Sequence, residues 1–468
     1  DPKYNFLVYN ASVHYWHVAK QMHRSGARKS LVASVSAVTA ALEAVGEPDV
    51  DWRIRLTMLQ AQSLYDNSEA DAASKCCTAL LDFAKKSSSS LYRDVYLLSI
   101  ALNAKNVAAA TKVKQDGGTT PALKVAGSLQ LIRSGVISDT AAVRKELTDA
   151  VTLLKGGIAG DGGGAKKGTA AAAAPSASES NDDNVVAMSE LCLLAADHGV
   201  VDLAQENLAE GLKSGNLLAR IRAEMTQGLI SIQTLVPDEE KYTNRMVSTR
   251  SAVLKSLERT LQSALRTNDN AIVQDVCILI LRVALPLLQP NLREHIKRPL
   301  FSALDALENL KSPLTEIRAV LLLEGALCDV NDDFLSKALE RVDAALEMDY
   351  TADATQAEKF GLDHPLDRYL IPLQKRLSLR TSIYEEPDNL LDQALLQTEQ
   401  VRDSKDVRLV HSVLSSAFEK IVSYGSVTPA ENALEGTRWA EVVLDIASMA
   451  WKHRLGDLAV KGGMMLCE

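Results

Sequence analysis

Residues 51–86 read DWRIRLTMLQAQSLYDNSEADAASKCCTALLDFAKK, and this stretch decides the fold. Residues 51–65 carry one helical pattern, Asp66, Asn67 and Ser68 a polar turn, and residues 69–86 a second helical pattern. Small or apolar side chains fall at Ala61, Leu64, Ala73, Cys77 and Leu80. The reading is geometric. Two helices cross closely only where their side chains are small, and a larger residue one turn on fills the gap beside the crossing.

Those offsets match the tetratricopeptide repeat, a helix–turn–helix unit of about 34 residues. They recur at Cys192, Ala195, Ala204, Leu208 and Gly211, in helices expected over 185–198 and 201–213. They recur again at Ala326, Ala338, Val342 and Ala345, in helices over 313–329 and 332–348, with Pro313 where a first turn tolerates proline. The last pair, 431–453 and 456–468, repeats them at Ala447, Ala450, Ala459 and Gly463. At the start, Phe6, Tyr9, Val13 and Trp16 line one face of a helix. After the basic turn 23–29, a second helix over 31–45 offers Leu31, Val35, Val38 and Leu42. Between these pairs, helices are expected at 91–104, 107–113, 121–134, 139–155, 216–235, 241–267, 269–289, 366–384, 388–402 and 405–424. Another spans 291–310, where Pro299 forces a kink or a new start. The expected fold class is all-α: an irregular α-solenoid of tetratricopeptide-like helical hairpins with a disordered internal insertion.

Length and composition agree. A chain of 468 residues is too long for one ordinary core, whereas a repeat array is open-ended. Aromatic residues are only 4%, and the apolar content is carried by alanine, leucine and valine, which favours helices over strands. The organisation expected is a helical-repeat segment over 1–155, a Gly/Ala/Ser-rich linker over 156–184, a second repeat segment over 185–348, a polar insertion over 349–365 and a third repeat segment over 366–468. The 156–184 stretch has almost no large apolar residue, too little to offset the entropy of ordering it. The chain opens Asp1-Pro2 and stops within a helical pattern after Val460, without the polar face of a terminal repeat, so it reads as an internal piece of a longer protein.

Chemistry is sparse. The net charge of −9 comes from interspersed signs with no basic stripe, which argues against nucleic acid as a partner. No apolar run reaches about 18 residues on this reading, so no membrane span is expected. Cys76, Cys77, Cys192, Cys277, Cys328 and Cys467 are scattered and read as reduced small hydrophobes. His14 and His17 lack the further ligands of a tetrahedral metal set, and Cys76-Cys77 has no second pair. The glycine stretch 160–169 orders Lys167, Gly168 and Thr169 wrongly for a phosphate loop and belongs to the linker. No catalytic motif appears, so no enzyme, cofactor or metal is assigned. One basic amphipathic stretch stands out: Arg368, Lys375, Arg376 and Arg380 interleave with Tyr369, Leu370, Leu373 and Leu377. Such helices serve as calmodulin targets, or simply as repeat helices with a wetted polar face.

The opening residues 1–13, followed by Tyr15 and Trp16, closely resemble a segment of the cilia- and flagella-associated tetratricopeptide-repeat proteins of the central-pair apparatus. The helix opening Asp51-Trp52-Arg53 resembles the same proteins, and the strong likeness covers about the first 85 residues. The resemblance implies a subunit of the C1d projection, a scaffold that regulates motility, with other projection proteins and calmodulin as partners and microtubule association through the complex. The family brings no catalytic residues. The alternative left by the residues alone is a helical scaffold of another cytoplasmic assembly, such as a trafficking or coat complex.

Overall fold

In a computed structural model the described residues are 5–23, 26–118, 120–159, 177–233, 235, 243–267, 269–348, 364–381, 387–402, 404–425 and 433–467. They form 21 α-helices and no strand. The chain divides into two units, Asp1–Val283 and Ala284–Glu468. The first holds α1 (Asn5–Ala19), α2 (Val32–Val45), α3 (Val50–Asp66), α4 (Ala70–Lys86), α5 (Tyr92–Leu102), α6 (Val107–Gly117), α7 (Pro121–Arg133), α8 (Thr140–Ala159), α9 (Ala177–Asp197), α10 (Val201–Lys213), α11 (Leu217–Gln233), α12 (Asn244–Ala264) and α13 (Asn270–Ala284). The second holds α14 (Lys297–Asn309), α15 (Thr315–Asn331), α16 (Leu335–Leu346), α17 (Asp367–Thr381), α18 (Leu390–Gln400), α19 (Val407–Tyr424), α20 (Ala433–Lys452) and α21 (Gly456–Cys467).

Helices start where side chains cap them. Asp49 accepts from the Trp52 amide, Asn106 from Ala109, Thr120 from Leu123 ahead of Pro121, and Asp406 from Arg408 and Leu409. Eight turns close helices in one way. Gly46, Ser68, Ser88, Gly135, Gly199, Lys311, Asp333 and Arg454 take positive φ, and in each case the next amide donates back to the carbonyl five residues earlier. Examples are Glu69 to Leu64 at 2.9 Å and Phe334 to Asp329 at 2.8 Å. This closure satisfies carbonyls that a helix end leaves open and turns the chain back into an antiparallel neighbour.

Packing follows sequence order. In the first unit each helix from α1 to α11 touches the next, and α3, α5, α7, α9 and α11 also touch one another in succession, making a row with the even-numbered helices beside it. The small residues that define the hairpins sit at the crossings: Ala61, Ala73 and Cys77 are fully buried in one cluster, and Ala326, Ala338 and Val342 of α15 and α16 are fully buried too. A methyl on Gly211 would lie 3.0 Å from the Ala223 methyl, so α10 meets α11 where only glycine fits easily.

Several expectations shift. Phe6 is 57% exposed; α1 buries Ser12 and Ala19, with Tyr9 and Trp16 half-buried on the flanks, because the face is centred on a hydrogen bond rather than on the largest rings. In the last hairpin the close contact falls on Gly462, where a methyl would sit 2.9 Å from the Ala447 methyl, while Gly463 has open space. The α21 helix is thus rotated by one residue from the register of the first hairpins. Residues 291–310 are not one helix: Arg293–His295 is a separate 3-10 turn, and Pro299 falls in the first turn of α14. Helix reaches further into the 156–184 stretch than expected, to Ala159 and from Ala177, with Asn184 buried. The phosphate-loop-like residues, the rest of that linker and 349–363 lie outside the described residues.

The expectation about apolar runs also needs correction. Residues Asn270–Leu287 are long and apolar enough to cross a membrane by length and composition. Here α13 packs instead as a core helix, with Ile272, Val276, Cys277, Ile280 and Val283 buried, Arg282 paired with Asp197, and Arg250 donating to the Val283 carbonyl at 3.1 Å.

An L residue held at positive φ costs about 1–2 kcal/mol, which glycine avoids. Lys311→Gly is therefore expected to raise stability by about 1 kcal/mol. Gly199→Ala, with nothing within 4 Å of the added methyl, is expected to lower it by a similar amount. Thermal melts followed by far-UV circular dichroism check both, and a neutral Gly199→Ala would show that the turn relaxes freely.

Candidate interaction surface

The opening aromatic element is a clamp. The Trp52 indole of α3 donates to the Ser12 hydroxyl at 2.8 Å, and Ser12 donates to the Tyr9 carbonyl at 2.6 Å. Around this bond Trp52 packs on Trp16 and Tyr9, with ring centroids 5.5 and 6.2 Å apart, and Trp16 meets His23 edge-on at 4.4 Å. Burial first, then the Arg28 and Lys20 charges, push the His23 pKa below its usual value. The basic turn is tied down by Asp66, which accepts from the Gly26 amide at 3.0 Å and from Arg28 Nε at 2.9 Å. His14 is exposed and His17 is exposed, and among the described residues no group of three metal-ligating side chains forms. Cys77, Cys192 and Cys277 are buried and their thiols are pushed up to about 12, which keeps them protonated packing groups.

A second feature has no local sequence pattern. Glu190, buried on α9, accepts from Arg93 of α5 at 3.1 Å and Arg133 of α7 at 2.7 Å, with Arg222 of α11 at 3.5 Å. Burial raises the Glu190 pKa, but the three guanidiniums together hold it below its usual value. Asp275 on α13 lies in the same field and is pushed up by burial despite Arg133 and Arg222. One carboxylate thus binds four helices of the row together. The available signal was an acidic residue inside the apolar run 185–196.

The four basic residues singled out in the sequence all lie on α17; Arg368 and Lys375 are exposed, and Lys375, Arg376 and Arg380 are engaged by carboxylates. Lys375 pairs with Asp392 at 3.1 Å. Arg376 pairs with Glu399 at 3.3 Å and with Asp445. Arg380 reaches Asp333 at 3.4 Å and Glu399 at 3.5 Å, and Glu399 also takes Arg402 at 2.5 Å. Asp392 is shared with Arg438 at 2.5 Å. Arg368 lies over the Tyr369 ring, 4.6 Å from its centroid. The apolar partners Leu370 and Leu377 are fully buried. These ion pairs fasten α17 to α18 and α20.

Beside α17 the second unit opens a cleft of about 570 Å³, walled by α15, α17 and α20. Arg293 and Glu324 pair at its edge at 3.1 Å, and Glu441 and Asp445 line the α20 side. Burial raises the pKa of Glu324 and of Glu441. A smaller groove in the first unit, about 340 Å³ between α2, α3 and α4, is self-satisfied: Thr39 donates to Gln60 at 2.9 Å and Gln60 to Ser36 at 3.1 Å.

The fold defines a class, an all-α solenoid whose neighbouring helices pack in sequence order. No protein-family model matches the chain. It is 30% identical over 466 aligned residues to cilia- and flagella-associated protein 46 of Chlamydomonas reinhardtii, an alignment covering 90% of this chain and 16% of that protein. The chain belongs to the cilia- and flagella-associated protein 46 family and spans about 16% of the length of that relative. A solved structure described as a circular tandem repeat protein with novel repeat topology and enhanced subunit contact surfaces is 12% identical, covering 99% of this chain and 95% of that one, but a TM-score of 0.16 carries no inference.

Glu190→Gln is expected to destabilise the first unit by about 2–3 kcal/mol. That is below the 3–5 kcal/mol of a fully buried pair, because Arg93 and Arg133 keep water. The pH sign follows from the lowered carboxyl. The wild-type advantage is full above the ordinary value of 4.5 and disappears as pH falls through the depressed value. Urea denaturation of both proteins at neutral and acidic pH checks this; equal stability at neutral pH would remove Glu190 from the account.

Proposed function

We propose that this chain is a segment of a structural, protein-binding scaffold of the ciliary and flagellar axoneme, within the C1d projection of the central apparatus, contributing to the regulation of motility. The observation that carries the reading is the identity to a cilia- and flagella-associated protein across 90% of the chain. The fold supports it, since helices stacked in sequence order present long, rigid, addressable faces to other proteins. The aromatic element with Ser12 and Trp16, which carried the resemblance in the sequence, has a physical role: it bolts α1 to α3.

The partners we propose are neighbouring projection proteins and, through them, the microtubule. Calmodulin stays among them with one restriction. Lys375, Arg376 and Arg380 are engaged inside the second unit, so calmodulin would take α17 only as a released peptide. The other reading, a scaffold of a trafficking or coat complex, makes a different cellular prediction. Tagged full-length protein imaged in ciliated cells is expected along the axoneme and absent from axonemes lacking the central pair. Signal confined to vesicles would overturn the ciliary reading and favour the coat.

A further inference from the structure

The cleft of the second unit interrupts a regular pattern. In the first unit alternate helices press directly on one another, whereas α15 and α17 stand apart with the cleft between them. Both walls present large apolar side chains at matching intervals. Val320, Leu323 and Leu327 lie on α15, and Leu366, Tyr369 and Leu373 on and just before α17. Each set is spaced i, i+3, i+7, a ladder of about 10 Å at the rise of an α-helix. On the third side, Leu444 of α20 is 55% exposed, and Tyr369 is 49% exposed. An apolar slot two helical turns long, bounded by parallel ladders, has the dimensions of a helix-in-groove site.

The charges in the slot select the occupant further. Arg293 is taken by Glu324, and Arg376 is shared between Glu399 and Asp445. Glu441 is half-buried against the apolar walls; Arg376 and Arg438 lie in its field, but burial outweighs them, and among the described residues no side chain donates a hydrogen bond to it. A carboxylate in such a place gains most from a cation that arrives with the ligand.

We propose that the cleft between α15, α17 and α20 docks an amphipathic helix of a partner protein, one that fills the apolar ladders and carries a lysine or arginine to Glu441. The inference deepens the scaffold reading, yet it is tested separately, because it concerns what the groove binds and not where the protein resides.

The test is a display selection of helical peptides on the intact 468-residue chain, with counter-selection on the variant Leu444→Glu. Leu444 is exposed, so the variant keeps the fold, which a circular dichroism melt verifies. The expected winners repeat apolar residues at i, i+3 or i+4 and i+7, carry a basic residue beside them, and bind the variant at least about tenfold more weakly. Glu441→Gln is expected to weaken these winners by about tenfold, and to leave versions with the basic residue changed to glutamine unaffected, as a charge-assisted contact requires. Winners that are acidic or extended, winners indifferent to both substitutions, or a selection that enriches nothing above the variant would each overturn the proposal.

Discussion

The structure depends on one constraint: a single α-helix is too thin to bury its own apolar stripe. The close crossing of α3 and α4 shows the solution. Ala61, Ala73 and Cys77 leave the backbones room to approach, and Leu102 of the next hairpin seals the cluster. Every helix thereby needs the one after it. The same dependence explains why sequence neighbours are spatial neighbours in both units.

Two devices make that dependence directional. The left-handed closures at Gly46, Ser68, Gly199, Asp333 and the others reverse the chain without a long loop. Charges then fix which helices meet across the row. Glu190 gathers arginines from three other helices, and Glu399 and Asp392 hold α17 by its cations. Such pairs contribute modestly to stability when wet, but removing one partner of a buried set leaves uncompensated charge, so they specify arrangement more than they add to it.

The helices and their pairing were legible in the sequence because a period of 3.6 and small residues at fixed offsets are local signals. Cys192, Ala204 and Gly211 were placed correctly for that reason. The Glu190 hub was not legible, since Arg93 lies 97 residues away and no local pattern joins them. Spacing puts Phe6 on one face with Tyr9, Val13 and Trp16, yet Phe6 is exposed and the face of α1 is set by the Ser12 hydroxyl and the Trp52 indole, two polar groups that must find each other once buried. The rotation that buries Gly462 rather than Gly463 is decided by contact with Ala447. The carboxylates that engage Lys375, Arg376 and Arg380 of α17 were not legible beside the basic stretch because they lie on other elements of the chain.

The central claim is sequential packing of helices, and zero-length carbodiimide cross-linking with mass spectrometry tests it most directly. The account predicts adducts joining Lys114 to Glu146, Lys297 to Asp332 and Lys375 to Asp392, each an ion pair between helices close in the chain order. Absence of these adducts, with dominant links between helices far apart in that order, would contradict it.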